Sequence, residues 1–179
     1  MVAKQGPGAA EAMIASLKAL VVEDNTHMRA LLRSLLVALG LRDVTEAANG
    51  EEAFAMLREH GVDFILTDLS MEPVDGIAFT RTVRSAEDSP NPYVPIIMVT
   101  GHTARHRVEA ARDAGVTEFL AKPVTAQNLL LRVLEIIERP RPYVRCPGYF
   151  GPDRRRRSDG DYGGPWRRSD DGILPTVAR

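Results

Sequence analysis

Cysteine is nearly absent from this 179-residue chain, which contains only Cys146. A single thiol cannot form an intramolecular disulfide, so the composition excludes a small disulfide-stapled scaffold and fits a reducing compartment. Long apolar runs are missing too, because Glu11 and Lys18 interrupt the segment Ala9 to Leu20. That segment is a poor signal peptide and is too short to span a membrane. We therefore expect a cytoplasmic protein that has no contact with a membrane.

Net charge is also small, at −1, but it is unevenly distributed. Residues 140–179 contain nine Arg and five Asp, which gives +4. Subtracting these from 23 basic and 24 acidic residues leaves 14 and 19 for residues 1–139, which gives −5. This asymmetry predicts an acidic folded body with a basic tail. We divide the chain into an N-terminal extension (1–16), a body (17–139) and a tail (140–179).

Within the body, apolar strand-like segments alternate five times with segments of helical periodicity. The predicted strands cover 17–22, 44–48, the run 64–66 that leads into Asp68, 96–99 and 117–121. The predicted helices cover 27–39, 51–60, 77–85, 104–114 and 126–138, with Thr26 and Thr125 as caps. Residues 1–10 are expected to be loose, with a short helical turn over 11–16. The alternation predicts a doubly wound sheet of five parallel strands with flanking helices.

From Pro140 onwards, Pro, Gly, Arg and Asp dominate, and neither a helical nor an alternating period survives. This composition predicts a mostly disordered tail. The tail contains an imperfect repeat, residues 151–160 and 164–172, in which Gly-Pro precedes a run of arginines. Two copies are too few for a solenoid, so they are read as two copies of a short recognition motif.

The arginines of the repeat have three interpretations. They solubilise the tail, they contact an acidic protein surface such as the body of this chain, or they bind nucleic acid through phosphate contacts and stacking aromatics. Nucleic acid is the least favoured partner because no DNA-binding fold is discernible. The residues in question are Arg154, Arg155, Arg156, Arg157, Trp166, Arg167 and Arg168.

Polar side chains stand where the predicted strands end. Glu23 and Asp24 follow the first strand, Asp68 the third, Thr100 the fourth and Lys122 the fifth. Because the carboxyl ends of parallel strands share one edge, and ligands bind in that crevice, we expect these side chains to converge.

Such a convergence points to phosphoryl chemistry. Packed carboxylates repel each other and raise each other's pKa, and Mg²⁺, which prefers oxygen ligands, would relieve the repulsion. Lys122 adds a positive charge and Thr100 a hydroxyl, so the group suits a phosphoryl ligand. Asp68 would be the nucleophile and would form an acyl phosphate.

At this point the chain resembles the receiver domains of response regulators, from Leu17 to about Glu138. The matching motifs are Val22-Glu23-Asp24-Asn25, Thr67-Asp68-Leu69-Ser70-Met71, Asp75-Gly76, Thr100-Gly101 and Lys122-Pro123. The resemblance implies a flavodoxin-like fold and a single-domain, CheY-like response regulator of a bacterial two-component system.

The resemblance also implies roles for individual residues. Asp68 would accept phosphate from a histidine kinase or a histidine phosphotransfer protein. Mg²⁺ would be bound by Asp24, Asp68 and the backbone carbonyl of Ser70, with Glu23 acting through water. Thr100 and Lys122 would contact the phosphoryl oxygens. Phe119 matches the family's switch aromatic, and Lys122-Pro123 matches a cis peptide bond.

Some positions depart from the family pattern. Pro73 comes one place later than the usual proline after Met71, so the path of this loop differs. Ser70 and His102 occupy the two positions that tune the rate of dephosphorylation in the family. None of these departures removes a reacting group.

Three functions remain open at this stage. The first is a phosphorylation-controlled binding module with an unknown output partner, for which pairing of two copies through the last helix is also open. The second is a nucleic-acid-binding regulator that uses the basic tail. The third is a phosphate sink that drains a kinase without any output. In none of them is the chain an enzyme beyond its own phosphorylation and dephosphorylation.

Overall fold

A computed structural model of the chain describes residues 7–101, 105–154 and 172–174. Five parallel strands form the main sheet in the order β2-β1-β3-β4-β5. Their bounds are β1 Lys18–Val22, β2 Asp43–Ala47, β3 Phe64–Asp68, β4 Ile96–Thr100 and β5 Glu118–Ala121. The predicted doubly wound parallel sheet is thereby confirmed. The chain moves outward in both directions from β1 and β3, so the carboxyl ends of these strands flank the crevice where ligands bind in such sheets.

The helices are α1 Pro7–Ser16, α2 Thr26–Ala38, α3 Gly50–Glu59, α4 Gly76–Ser85, α5 Arg105–Ala114 and α6 Ala126–Glu138. Thr125 caps α6 as predicted. Thr26 was wrongly predicted as the cap of α2, because Asn25 accepts the hydrogen bond from the backbone N–H of Met28. No helix in these ranges is long and apolar enough to cross a membrane.

The N-terminal extension has more structure than expected. The helical turn predicted for 11–16 is part of a ten-residue helix that begins at Pro7. Ile14 and Leu17 are buried in the same apolar cluster as the residues of β1 and α2. This burial explains why the helix forms, since isolated helices of ten residues are marginal in water.

Two apolar layers hold the sheet between helices. On one face, β1, β3 and β4 pack against α2 and α6 through Val21, Leu66, Val99, Leu32, Leu36, Leu129 and Val133. On the other face, they pack against α3 and α4 through Leu20, Ile65, Ile96, Ala53, Leu57, Phe79 and Val83. A third cluster joins α5 to β4 and β5 through Met98, Ala111, Ala114, Val116 and Phe119.

The prediction of a disordered tail is wrong for residues 143–152. They form two strands, β6 Tyr143–Cys146 and β7 Tyr149–Pro152, which pair as an antiparallel hairpin. A third strand, β8 Gly172–Leu174, pairs with the other edge of β6. The Pro147-Gly148 turn uses a positive φ of 78° at Gly148, which glycine adopts without strain. Side-chain contacts to the body, described below, stabilise this hairpin, although the composition of the tail alone predicts disorder.

Candidate functional site

The loops that follow the strands are held at one edge of the sheet. The strand ladder continues past the strand ends, where backbone N–H groups of Glu23, Leu69 and Lys122 donate to carbonyls of neighbouring strands at 2.9–3.1 Å. The side chains of Glu23, Asp68 and Lys122 therefore stand at the ends of three different strands and meet, as predicted. We call these three residues the strand-edge site.

At the centre of the strand-edge site, the ammonium of Lys122 lies between two carboxylates. Its Nζ is 2.7 Å from Oδ1 of Asp68 and 3.5 Å from Oε2 of Glu23. Asp68 is only 5 % exposed and Glu23 only 2 %. The backbone N–H of Ser70 donates to Oδ2 of Asp68 at 2.9 Å, so both carboxylate oxygens of Asp68 have a donor.

The charges in this site do not balance, because one ammonium faces two buried carboxylates. Burial raises the pKa of Glu23, and the charge of Asp68 raises it further, while Lys122 partly offsets both effects. Burial alone would lower the pKa of Lys122, but its hydrogen bond to Asp68 and the charges of Asp68 and Glu23 outweigh burial and raise it. A site with this excess of negative charge favours a bound cation.

The expected set of three packed carboxylates is not found. Glu23 is buried while Asp24 is exposed, and within the described residues no three His, Cys, Asp or Glu side chains are grouped closely enough to hold a metal ion. Mg²⁺ nevertheless needs only one or two protein carboxylates, since it keeps several waters. The carboxylates of Asp68 and Glu23, which share a single ammonium, therefore supply oxygen donors that suit Mg²⁺.

Gly76 packs directly against the backbone of Asp68. A Cβ on Gly76 would overlap the backbone carbonyl of Asp68, so only glycine permits this approach. The same carbonyl accepts a hydrogen bond from the hydroxyl of Thr67. Asp75 caps α4, because its side chain accepts a hydrogen bond from the backbone N–H of Ala78. Sequence analysis recognised Asp75-Gly76 as a motif but missed the steric role of Gly76, because that role depends on a long-range contact.

Two peptide bonds near the site are cis. Lys122-Pro123 is cis, as the family resemblance implies, and so is Glu72-Pro73 in the loop where the proline comes one place late.

The predicted switch residues lie on β4 and β5, which are both on the same side of β3 in the sheet. Thr100 ends β4 and is partly exposed, while Phe119 in β5 is partly buried against the α5 cluster. Ser70 is exposed next to Asp68, in keeping with a position that water can reach. His102 lies outside the described residues. The switching and tuning roles of these residues stay predictions.

Of the tail residues singled out in the sequence, only Arg154 is described. Its guanidinium lies 3.1 Å from Oδ1 of Asp113 on α5 and 4.2 Å from the ring centre of Tyr149. This contact with an acidic residue of the body fits the second interpretation of the arginines. Arg155, Arg156, Arg157, Trp166, Arg167 and Arg168 lie outside the described residues.

Sequence analysis also missed the hairpin β6–β7. The available signal was the Pro147-Gly148 pair, which marks a turn, between two short runs that contain aromatic and β-branched residues. The high Pro and Gly content of the surrounding tail obscured this signal.

Comparison with known proteins identifies the family of the chain. Residues 19–134 match the model of the response regulator receiver domain family. The chain is 37% identical over 123 residues to the chemotaxis protein CheY of Pseudomonas aeruginosa, which covers 69% of this chain and 98% of that protein.

Two solved structures are similar as well. One is the receiver domain of a sensor histidine kinase from Pseudomonas aeruginosa with a magnesium ion in its active-site cleft (33% identity, TM-score 0.59, covering 68% of this chain and 96% of that one). The other is the receiver domain of a Saccharomyces cerevisiae response regulator in complex with a histidine phosphotransfer protein (28% identity, TM-score 0.58, covering 66% and 87%). From the sheet topology, the strand-edge site and these matches together, the chain belongs to the receiver domain family of CheY-like response regulators.

Proposed function

We propose that this protein is a stand-alone response regulator in which Asp68 accepts a phosphoryl group from a histidine kinase or a histidine phosphotransfer protein. The observation that supports it most is Lys122, whose ammonium bridges the buried carboxylates of Asp68 and Glu23. A cation held 2.7 Å from the nucleophilic carboxylate stands where negative charge accumulates during phosphoryl transfer. The similar receivers with magnesium or a phosphotransfer protein support the cofactor and the donor class.

The proposed transfer needs no redox partner. A carboxylate oxygen of Asp68 bonds to phosphorus as the bond from phosphorus to the donor's imidazole nitrogen breaks. The electron pair of that bond stays on the imidazole nitrogen, which takes up a proton. Mg²⁺ bound by Asp24, Asp68 and the Ser70 carbonyl, with Glu23 through water, would neutralise charge on the phosphoryl oxygens. Hydrolysis by water then returns Asp68 and releases inorganic phosphate.

The output follows from the charge that phosphorylation adds. A phosphoryl group brings about −1.5 to −2 charge and new acceptor oxygens. The hydroxyl of Thr100 and the ammonium of Lys122 bind these oxygens, and Phe119 moves into the space that Thr100 vacates. The face formed by α5, β5 and α6 then changes its affinity for a partner protein. Apart from forming and hydrolysing its own acyl phosphate, the chain catalyses no reaction, and it acts in the cytoplasm.

The other two functions have less support. For a nucleic-acid-binding tail, Arg154 would have to give up its contact with Asp113. No contact of the described residues distinguishes a phosphate sink from a binding module, so that alternative is decided by whether a phosphorylation-dependent partner exists.

The test is labelling by a small phosphodonor such as acetyl phosphate, with and without Mg²⁺. We expect Mg²⁺-dependent labelling of the wild-type chain and none of Asp68→Asn. Asp43→Asn is the matched control, because Asp43 is an exposed aspartate paired with Lys18 away from the site, and it should label normally. Labelling that persists in Asp68→Asn would refute the assignment.

A further inference from the structure

The C-terminal hairpin, residues 143–152, packs on the end of the sheet opposite the strand-edge site. It lies where β4 and β5 begin, against residues that directly precede these strands. We call this region the base surface; it consists of Tyr93, Val94, Asp113, Gly115, Thr117 and Glu118.

Aromatic rings form the centre of this contact. Tyr143 is only 3 % exposed, and its ring centre lies 5.3 Å from that of Tyr93 and 5.7 Å from that of Phe150. Phe150 and Tyr93 meet edge to face at 5.2 Å. Pairs with such spacing contribute beyond their buried area, so the hairpin is part of the folded unit.

Two glycines bring the hairpin backbone close to the body. A Cβ on Gly151 would lie 2.9 Å from Cα of Gly115, and a Cβ on Gly115 would lie 3.0 Å from the carbonyl oxygen of Phe150. Gly115 also has a φ of +101°, which disfavours any other residue. The contact therefore tolerates little relative movement of α5 and the hairpin.

Two arginines that flank the hairpin in the chain add polar contacts to the base surface. Arg154 pairs with Asp113 at 3.1 Å, and Arg141 lies 3.7 Å from Glu118 and donates to the carbonyl of Thr117 at 3.3 Å. These partners belong to the end of α5 and to the start of β5.

The same segment of α5 and β5 contacts the proposed switch residue. Phe119 packs in one cluster with Ala114 and Val116, the two neighbours of Gly115 in the chain. Glu118, which holds Arg141, directly precedes Phe119. A continuous series of packed groups thus connects Phe119 to the hairpin.

We propose that the hairpin is an internal partner of the receiver, bound at the base surface in the unphosphorylated state and loosened when Asp68 is phosphorylated. This inference rests on the proposed function. Movement of Phe119 displaces Ala114 and Val116, and the close Gly115–Gly151 contact cannot follow. Arg154 then loses its contact with Asp113.

Hydrogen exchange of the full-length chain tests this directly, with beryllofluoride and Mg²⁺ as the phosphoryl mimic. We expect slower exchange in the peptides that contain Asp68, Thr100 and Lys122. In the same samples, the amides of β6 and β7 should exchange at least about fivefold faster, the lower end of measured allosteric couplings. Asp68→Asn should show neither effect.

The two readouts separate the two claims. Absence of slower exchange around Asp68 would refute the proposed function, and the coupling with it. Slower exchange around Asp68 with unchanged exchange in β6 and β7 would refute the coupling alone.

Reciprocity supplies a second test that does not depend on hairpin exchange. If phosphorylation weakens the hairpin contact, removing part of that contact must in turn favour binding at Asp68. Arg154→Ala should therefore bind beryllofluoride more tightly than the wild type. Arg42→Ala is the control and should bind beryllofluoride like the wild type. Arg42 is an exposed arginine directly before β2, the edge strand farthest from β5 in the sheet. Equal affinity of Arg154→Ala and the wild type would contradict the inference.

Discussion

Buried charge is treated differently at the two ends of the main sheet. At the strand-edge site, the ammonium of Lys122 contacts two carboxylates, Asp68 and Glu23. At the opposite end, Arg84 of α4 is as buried as Asp68, yet among the described residues no carboxylate is paired with it. Instead, it donates to the carbonyls of Gly115 and Pro92 and lies 5.2 Å from the ring centre of Tyr143.

This difference separates a site that reacts from a contact that stabilises. Burial lowers the pKa of Arg84, and carbonyl dipoles and an aromatic face compensate only part of the cost of burying its charge. One of its nitrogens has no hydrogen-bond partner among the described residues. The guanidinium links α4, the segment before β4, the turn before β5 and the hairpin. At the strand-edge site, by contrast, the surplus negative charge leaves room for a cation and a phosphoryl group.

The largest expected effect on stability is at the base. Tyr143→Ala removes a buried aromatic ring that also faces Arg84, and it should lower the free energy of unfolding by about 3–5 kcal/mol in urea denaturation. Tyr143→Phe is the matched control, since it removes only the hydroxyl that donates to Val94 at 3.4 Å. That change should cost about 0.5–1.5 kcal/mol. Equal, small effects of both substitutions would mean that the hairpin is not part of the folded unit.

A second substitution tests the strand-edge site. Gly76→Ala forces a methyl group into the backbone of Asp68 and should cost about 1–3 kcal/mol of stability, as overpacking does. It should also reduce phosphodonor labelling, because the carboxylate moves. Gly61→Ala is the control, as a Cβ there meets no atom within 4 Å. If Gly76→Ala labels like Gly61→Ala, the position of Asp68 does not depend on this glycine.

The smallest expected effect on stability comes from the buried negative charge of Glu23 at the strand-edge site. Since the fold raises the pKa of Glu23, its contribution to stability is greatest below the unfolded value near 4.5 and is lost as the pH rises through the folded pKa. Without Mg²⁺, Glu23→Gln should therefore melt at a higher temperature than the wild type at pH 7, because it removes the buried negative charge.

The higher melting temperature of Glu23→Gln should vanish below pH 4.5. The affinity of Glu23→Gln for Mg²⁺ should be about 10–100-fold lower than that of the wild type, as for other residues that act on a metal through water. Glu59→Gln, at an exposed position, serves as the control. A Glu23→Gln chain that is less stable than the wild type at pH 7 would contradict the charge argument.

The two ends also differ in how far the sequence predicts them. The strand-edge site was predictable, because each of Glu23, Asp68 and Lys122 follows an apolar strand and parallel strands bring their ends together. The contrast between buried Glu23 and exposed Asp24 was not, since it depends on how the loop turns after β1. At the base, the strands are only four residues long and are stabilised by contacts such as Tyr143 with Tyr93. Arg84 reads as an ordinary polar residue of a helix until the hairpin covers it.

The most direct test of the central claim is to locate the phosphoryl group in the wild-type chain. After incubation with acetyl phosphate and Mg²⁺, borohydride reduces an acyl phosphate of aspartate to homoserine, which peptide mass spectrometry identifies. We predict homoserine at position 68 and at no other carboxylate, dependent on Mg²⁺. Homoserine elsewhere, or none despite incorporated phosphate, would show that Asp68 is not the phosphoacceptor.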